Sequence, residues 1–154
     1  MGGGGFHLAQ VNVARMREPL DHASMRGFVD GLGPINALAD GSPGFVWRLQ
    51  TDEGDATALR VFDDDMMIVN MSVWMSVDAL RSFVFRTHHA DYLRRRSVWF
   101  ARLAEAPTAL WWIPVGATPT VEDAKGRLER LRERGPTTEV FTLREPFPPP
   151  GSDA

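Results

Sequence analysis

The segment that decides the fold lies at residues 68–100 and reads IVNMSVWMSVDALRSFVFRTHHADYLRRRSVWF. In its first part, which ends at Trp74, every second residue is apolar, and this alternation predicts a strand with two distinct faces. Ser76 is placed to cap a helix that begins at Val77 and continues to about Phe100. A strand followed at once by a long helix that faces the sheet is therefore the centre of the predicted fold.

The remaining elements follow from the same periodicities. Alternating or β-branched runs predict further strands at residues 6–14, 44–50, 108–115 and 139–144. Apolar residues at helical spacing predict helices at 24–40, interrupted at Gly33-Pro34, and at 120–134. The order β-α-β-β-α-β, followed by α-β, contains the split β-α-β arrangement. We therefore predict an α+β protein with a ferredoxin-like fold and an antiparallel sheet.

Length and composition exclude several classes of protein. The 154 residues are predicted to form one domain at 6–145, with a flexible glycine leader at 1–5 and a proline-rich tail at 146–154. The absence of cysteine excludes disulfides, thiolate nucleophiles and cysteine metal sites. No phosphate-binding glycine loop, GxSxG or HExxH motif is present. A net charge of −3, no apolar run of membrane-spanning length and no signal-peptide pattern favour a cytoplasmic protein without nucleic-acid or membrane partners.

Apolar strand faces favour self-association. Every second residue of two predicted strands is apolar, and these residues are Ala9, Val11, Val13, Met67, Val69, Met71 and Val73. An apolar sheet surface of this size promotes aggregation unless a partner covers it. A symmetric homodimer formed through the sheet faces is the predicted solution.

Histidine offers the best chemical handle in this sequence, because its ordinary pKa lies near neutrality and its neutral ring is a common metal ligand. His89 shares one helical stripe with Phe85 and Leu93, which predicts that it faces the sheet. The neighbouring His88 is predicted to lie closer to the rim. A site role for His89 and a core histidine paired with a backbone carbonyl are both open.

Polar residues interrupt three otherwise apolar strands on one predicted face, and they are Gln10, Asn12, Arg48, Asn70 and Ser72. Burying that many hydrogen-bonding groups costs free energy unless they satisfy one another, water or a ligand. A pocket between sheet and helices is therefore predicted, with a solvated sheet edge or the polar centre of a dimer barrel as alternatives. The five tryptophans suit a planar ligand, although most tryptophans in small domains belong to the core.

A pattern after the central strand resembles a known superfamily. Val73-Trp74 is followed by Ser76, Ala79, Leu80 and Phe83, giving V-W-x-S-x-x-A-L-x-x-F. This pattern resembles the dimeric α/β-barrel superfamily, which includes antibiotic biosynthesis monooxygenases and IsdG-type haem-degrading monooxygenases. The chain is most similar to an uncharacterised bacterial family within it, through stretches at 7–15, 35–50, 72–96, 110–124 and 134–148.

The resemblance implies roles for particular residues. In the haem-degrading relatives a histidine on the helix after the W-x-S turn binds iron, and an asparagine on the first strand helps to shape the pocket. Here the histidine role falls on His89 or His88 and the asparagine role on Asn12, while Phe83 replaces a tryptophan of those relatives. His89 would act as a general base, or as the axial ligand of a haem, and Asn12 would stabilise developing charge.

The predicted function is that of a monooxygenase-like small-molecule enzyme acting on an apolar or aromatic substrate in a pocket between sheet and helices. Its catalytic residues would be His89 and Asn12. The predicted substrate-binding residues are Gln10, Arg48, Asn70, Trp74, Phe83, His88 and Trp112. Haem and the absence of any cofactor are both open. A cofactor-free cyclase or isomerase, and a non-catalytic dimeric ligand-binding protein, are the alternative functions.

Overall fold

The computed structural model describes residues 5–19, 21–49, 67–87, 98–101 and 106–151. The described strands are β1 (Phe6–Met16), β2 (Phe45–Arg48), β3 (Met67–Trp74), β4 (Phe100–Ala101) and β5 (Thr108–Pro114). The described helices are α1 (Arg26–Asp40), α2 (Val77–Thr87) and α3 (Val121–Arg134), and a single 3-10 turn at Ala23–Met25 precedes α1. None of the helices in these ranges has the length and apolar composition needed to cross a bilayer.

The sheet is built around β1. β3 pairs with one edge of β1, β2 pairs with β3, and both β5 and β4 pair with the other edge of β1. Every one of these pairings is antiparallel. The strand order β2-β3-β1-β5, with α1 and α2 in the connections, is the split β-α-β arrangement. The predicted α+β class with a ferredoxin-like antiparallel sheet is confirmed.

Helices cover both faces of the sheet. On the face formed by the odd-numbered residues of β1, the strand side chains pack against Ala124, Leu128 and Leu131 of α3. On the face formed by the even-numbered residues, Leu8 packs with Ala39 of α1 and Leu80 of α2. We call these the α3 face and the α1/α2 face.

Local sequence explains why α3 forms where it does. The side chain of Thr120 accepts a hydrogen bond from the backbone N–H of Asp123 (3.0 Å), so the predicted N-terminal cap is present. Gly135 ends the helix with a φ of 76°, a conformation that favours glycine. The buried residues of α3 recur at spacings of four and three, as one apolar stripe requires.

The homodimer was predicted because an apolar face of the sheet was expected to lack cover, but α3 covers that face. The apolar strand residues that were expected to need a partner, such as Val11, Val69 and Val73, are buried under α3 of the same chain. A dimer could therefore not use this face without displacing α3. The homodimer itself stays a prediction.

Helix α1 differs from the sequence expectation. It runs without interruption from Arg26 to Asp40, although a break was predicted at Gly33-Pro34. An interior proline removes one helical N–H donor, and its ring crowds the carbonyl group one turn earlier. Both ends of α1 are held by packing, through Phe28 near the first strand's end and Ala39 near α2, so the helix tolerates the loss.

Two predicted boundaries were also wrong. The residues at 100–101 form the short strand β4, aligned with Arg15 and Met16, where the end of a helix was expected. The strand predicted at 139–144 is reduced to a single antiparallel bridge between Phe141 and Leu110. Both errors concern pairing with a distant strand, which local periodicity does not reveal.

Candidate ligand site

Polar side chains form two rows across the α1/α2 face. In one row the register places Gln10 of β1 and Arg48 of β2 on either side of Ser72 of β3. In the next row Asn12 of β1 lies between Asn70 of β3 and Thr108 of β5. We call these six residues the polar strip: Gln10, Asn12, Arg48, Asn70, Ser72 and Thr108. Along the strands, the strip lies between the row of Leu8 and Trp74 and the position of Ile68.

The first row contains a buried hydrogen-bond cluster. Gln10 Nε2 donates to Ser72 Oγ at 2.7 Å, and Trp74 Nε1 donates to the same oxygen at 2.8 Å. Gln10 and Ser72 are 8% and 7% exposed, and Trp74 is fully buried. One hydroxyl oxygen thus satisfies two buried N–H donors, as buried polar groups require.

The second row is more open to solvent. Asn12 Nδ2 donates to Thr108 Oγ1 at 2.6 Å, and both residues are half-buried. Asn70 is exposed, and its side chain has no hydrogen-bond partner among the described residues. This row therefore presents amide groups whose hydrogen-bonding capacity is only partly used within the described part of the chain.

Arg48 is the charged member of the polar strip, and its charge is balanced. Its Nε lies 2.8 Å from Asp40 Oδ1, and its Nη2 donates to Asp40 Oδ2 at 3.4 Å. Asp40 is the last residue of α1, so this pair ties the helix end to the strip. Among the residues that the structure describes, the strip thus offers neutral amide and hydroxyl groups rather than an unbalanced charge.

Aromatic residues predicted to contact a substrate are engaged in packing. Trp74 stacks on Phe83 with ring centroids 5.0 Å apart and meets Phe45 edge-on at 5.5 Å. Trp112 Nε1 donates to the backbone oxygen of Phe147 at 2.9 Å. The structure therefore gives Trp74 and Trp112 clear roles in the core and in holding the C-terminal segment, and their contact with a ligand stays a prediction.

Two grooves open beside the N-terminal end of α2, and neither is lined by the polar strip. The first encloses about 330 Å³ between the Gly44 turn and α2, where Phe83 forms part of its wall. The second encloses about 480 Å³ between α2 and the C-terminal segment, with Trp112 and Phe147 in its wall. Of the predicted substrate contacts, Gln10, Arg48 and Asn70 thus lie in the strip, Phe83 and Trp112 line the grooves, and Trp74 is buried in the core.

The sequence model of a family described as Domain of unknown function (DUF3291) matches residues 7–154. The chain belongs to this family. The match spans the sheet, its helices and the C-terminal segment, which confirms the prediction of an uncharacterised family. Comparison with curated proteins gives no match.

Solved structures similar to this DUF3291 protein include SnoaB, a cofactor-independent oxygenase from Streptomyces nogalater. The identity is 18%, the alignment covers 76% of this chain and 98% of SnoaB, and the TM-score is 0.42. A candidate antibiotic biosynthesis monooxygenase from Nitrosomonas europaea shows 15% identity, covering 76% of this chain and 94% of that one, with a TM-score of 0.40. Likenesses of this strength carry no argument about function.

The predicted base, His89, and its neighbour His88 both lie outside the described residues of this DUF3291 protein. Of the histidines in the described ranges, His7 lies on β1 at an odd-numbered position, hence on the α3 face, and His22 is exposed before the 3-10 turn. The described ranges also contain no group of three or more acidic or histidine side chains that could hold a metal ion. The catalytic assignment of His89 stays a prediction.

Haem is the cofactor that the resemblance raises, and the described residues of the polar strip do not fit it. Its iron ligand would have to come from His88 or His89, which lie outside the described residues, because no described histidine lies on this face. Its propionates need cations, and the guanidinium of the strip, Arg48, is already held by Asp40. The strip therefore provides neither an iron ligand nor a partner for the propionates.

The strand register brings together the polar residues that the sequence placed on one face, which are Gln10, Asn12, Arg48, Asn70 and Ser72. It also adds Thr108, which the sequence pattern did not identify and which completes the second row. Thr108 is the first residue of β5, and its position opposite Asn12 depends on the pairing of strands far apart in sequence. The sequence signal that could have identified it is a residue with a side-chain hydroxyl group at the start of a strand rich in aromatic residues.

Proposed function

We propose that the polar strip binds the polar end of a small apolar or aromatic molecule and that this protein is a monooxygenase-like small-molecule enzyme. The observation that supports the proposal most is the second row. There Asn12 is half-buried and oriented by a hydrogen bond, beside an Asn70 amide that has no partner among the described residues. A half-buried amide such as that of Asn12 costs free energy when neither a ligand nor water satisfies its remaining hydrogen-bonding capacity.

The chemistry of the row suits a hydroxyl or carbonyl group on an apolar frame. An amide has two N–H donors and a carbonyl acceptor. Asn12 uses one N–H on Thr108, and among the described residues a second N–H and Oδ1 remain unused. Apolar side chains flank the strip, with Leu8 and Trp74 at one end and Ile68 at the other. Small-molecule sites typically place a few polar groups among apolar residues.

The finer part of the proposal is an oxygenation without a cofactor. His89 would remove a proton from an activated CH₂ carbon of the substrate, and the carbanion would reduce O₂ while forming a C–O bond. Reprotonation gives a hydroperoxide, and loss of water leaves a carbonyl, so that CH₂ and O₂ become C=O and H₂O. Asn12 would stabilise negative charge on a substrate oxygen during proton removal. SnoaB is described as a cofactor-independent oxygenase, and for this chain the same activity is a proposal.

Binding is tested first, with a probe of the proposed class. We expect 2-hydroxyanthraquinone to quench tryptophan fluorescence saturably, and Asn12→Ala to weaken its affinity by about fivefold, since one hydrogen bond contributes about 1 kcal/mol. Arg130→Gln, which removes an exposed ion pair with Glu139 outside the strip, should leave the affinity unchanged. Equal affinities of the wild type and Asn12→Ala would refute a site at the strip.

The reaction is tested separately. An oxygenase should consume O₂ with an anthrone, and His89→Ala should abolish that consumption while retaining binding. Exchange of substrate hydrogen with solvent without O₂ uptake would favour a cyclase or isomerase, and binding without either reaction would favour a ligand-binding protein.

Haem binding is tested by titration with haemin, which should give a Soret band that His89→Ala removes if His89 binds the iron. Native mass spectrometry would report the subunit number of the predicted homodimer.

A further inference from the structure

We infer that Thr108 is a positioning residue that fixes the amide of Asn12, and that the site consequently prefers a ligand that donates a hydrogen bond through a hydroxyl group. This inference rests on the proposed function of the polar strip. It adds a residue and a ligand chemistry that neither the sequence patterns nor the family match provide.

The hydrogen bond between the two side chains sets the direction of the amide. Asn12 and Thr108 are paired across β1 and β5, and Asn12 Nδ2 donates to Thr108 Oγ1 at 2.6 Å. The nitrogen and the oxygen of the amide lie on opposite sides of the axis of the Cβ–Cγ bond. With Nδ2 held toward β5, Oδ1 is directed away from β5, toward the side on which β3 places Asn70.

This orientation selects the chemistry of the ligand. Oδ1 of Asn12 can only accept hydrogen bonds, so a ligand group that reaches it from the Asn70 side must be a donor. A phenolic or enolic hydroxyl can donate to Asn12 Oδ1 and accept from the amide of Asn70, whereas a methyl ether can only accept. Asn70 is exposed and without a side-chain partner in the described ranges, so it remains available for the second bond.

The Thr108 side chain can be changed without undoing its strand. The backbone N–H of Val13 donates to the carbonyl oxygen of Pro107 at 2.8 Å, which anchors the start of β5 independently of the hydroxyl. Thr108→Val replaces the hydroxyl by a methyl group of similar size and retains the β-branched shape that strands favour. Thr108→Ser keeps the hydroxyl and serves as the matched control.

The experiment compares two probes, 2-hydroxyanthraquinone and 2-methoxyanthraquinone, by fluorescence titration of the wild type and its variants. The wild type and Thr108→Ser should favour the hydroxyl probe by about fivefold. In Thr108→Val this preference should fall to near unity, because the amide can rotate and present Nδ2 instead. Asn12→Ala should also lose the preference, and adding Thr108→Val to it should change nothing further.

An NMR measurement decides the positioning role without any ligand. With asparagine labelled in its side chain, the Asn12 Nδ2 resonances should shift in Thr108→Val and stay in place in Thr108→Ser. Unmoved resonances in Thr108→Val, or an unchanged probe preference in a variant that binds, would overturn the inference. If the wild type binds neither probe, the proposed function and the hydroxyl preference both fail, and the resonances alone decide the role of Thr108.

Discussion

Replacing Ser72 by alanine should destabilise the protein far more than the loss of one surface hydroxyl. Its Oγ accepts hydrogen bonds from Trp74 Nε1 and Gln10 Nε2, and all three residues are buried. A buried donor left without an acceptor costs about 1–3 kcal/mol. Trp74 has no access to solvent, whereas Gln10 is 8% exposed and can recover part of the loss. We therefore expect Ser72→Ala to lower the free energy of unfolding by about 3 kcal/mol.

Ser42 provides a matched control, because it is also 7% exposed. Its Oγ donates to the backbone oxygen of Leu38 at 2.7 Å, and Leu38 is 37% exposed, so we expect water to replace the lost donor. Ser42→Ala should thus cost about 1 kcal/mol. The difference of about 2 kcal/mol corresponds to about 4–8 °C in the unfolding midpoint for a chain of this size.

Urea unfolding followed by circular dichroism measures both variants. A double-mutant cycle with Trp74→Phe identifies the source of the loss, since Ser72→Ala should cost about 1 kcal/mol less once the indole N–H is absent. Faster solvent exchange of the Trp74 indole proton in Ser72→Ala would report the same bond directly. If Ser72→Ala and Ser42→Ala agree within about 0.5 kcal/mol, the double-acceptor role assigned to Ser72 is wrong.

Other substitutions test the fold around the site by the same unfolding assay. Gly44→Ala should lose about 3 kcal/mol, because its φ is 81° and a Cβ there would lie 2.5 Å from Ala79 Cβ. Adding Ala79→Gly should recover the steric part, and no recovery would contradict that contact. Thr120→Ala should cost about 1 kcal/mol by removing the acceptor for the Asp123 N–H of α3, and an unchanged midpoint would show that the cap is dispensable. His7→Leu should stabilise by about 1 kcal/mol, since His7 Nδ1 is buried without a partner in the described structure; destabilisation would indicate that this nitrogen is satisfied.

Local periodicity predicted the strands and helices whose apolar and polar residues lie on different faces. The central parts of β1 and β3, residues 9–13 and 69–73, alternate between apolar and polar residues, and each alternate set lies on its own face of the sheet. The spacing of Leu128 and Leu131 predicted the buried stripe of α3. These features depend on positions close in sequence, where a period of two or of 3.6 residues is a direct consequence of backbone geometry.

Features that depend on the partner strand could not be predicted in this way. In β2 the register shifts between Phe45 and Trp47, so Phe45 packs on the α1/α2 face while Trp47 packs on the α3 face. Strict alternation would place both on one side. A β-bulge of this kind inserts a residue opposite a single partner position, and nothing in the local sequence marks it.

The same distinction explains why only half of the polar strip remains a candidate for binding. Alternation showed that polar groups share a face, but the hydrogen bonds that satisfy them depend on burial and register. A fully buried tryptophan needs a partner for its N–H, and Ser72 supplies that partner to Trp74 while also fixing Gln10. Gln10 and Ser72 of the first row are therefore accounted for by the core itself, and Arg48 is balanced by Asp40. In the described part of the chain, no buried core residue depends on the Asn12 row for a hydrogen bond in this way. Stability should then depend on Ser72 and ligand affinity on Asn12, and the two variants separate the structural part of the strip from its functional part.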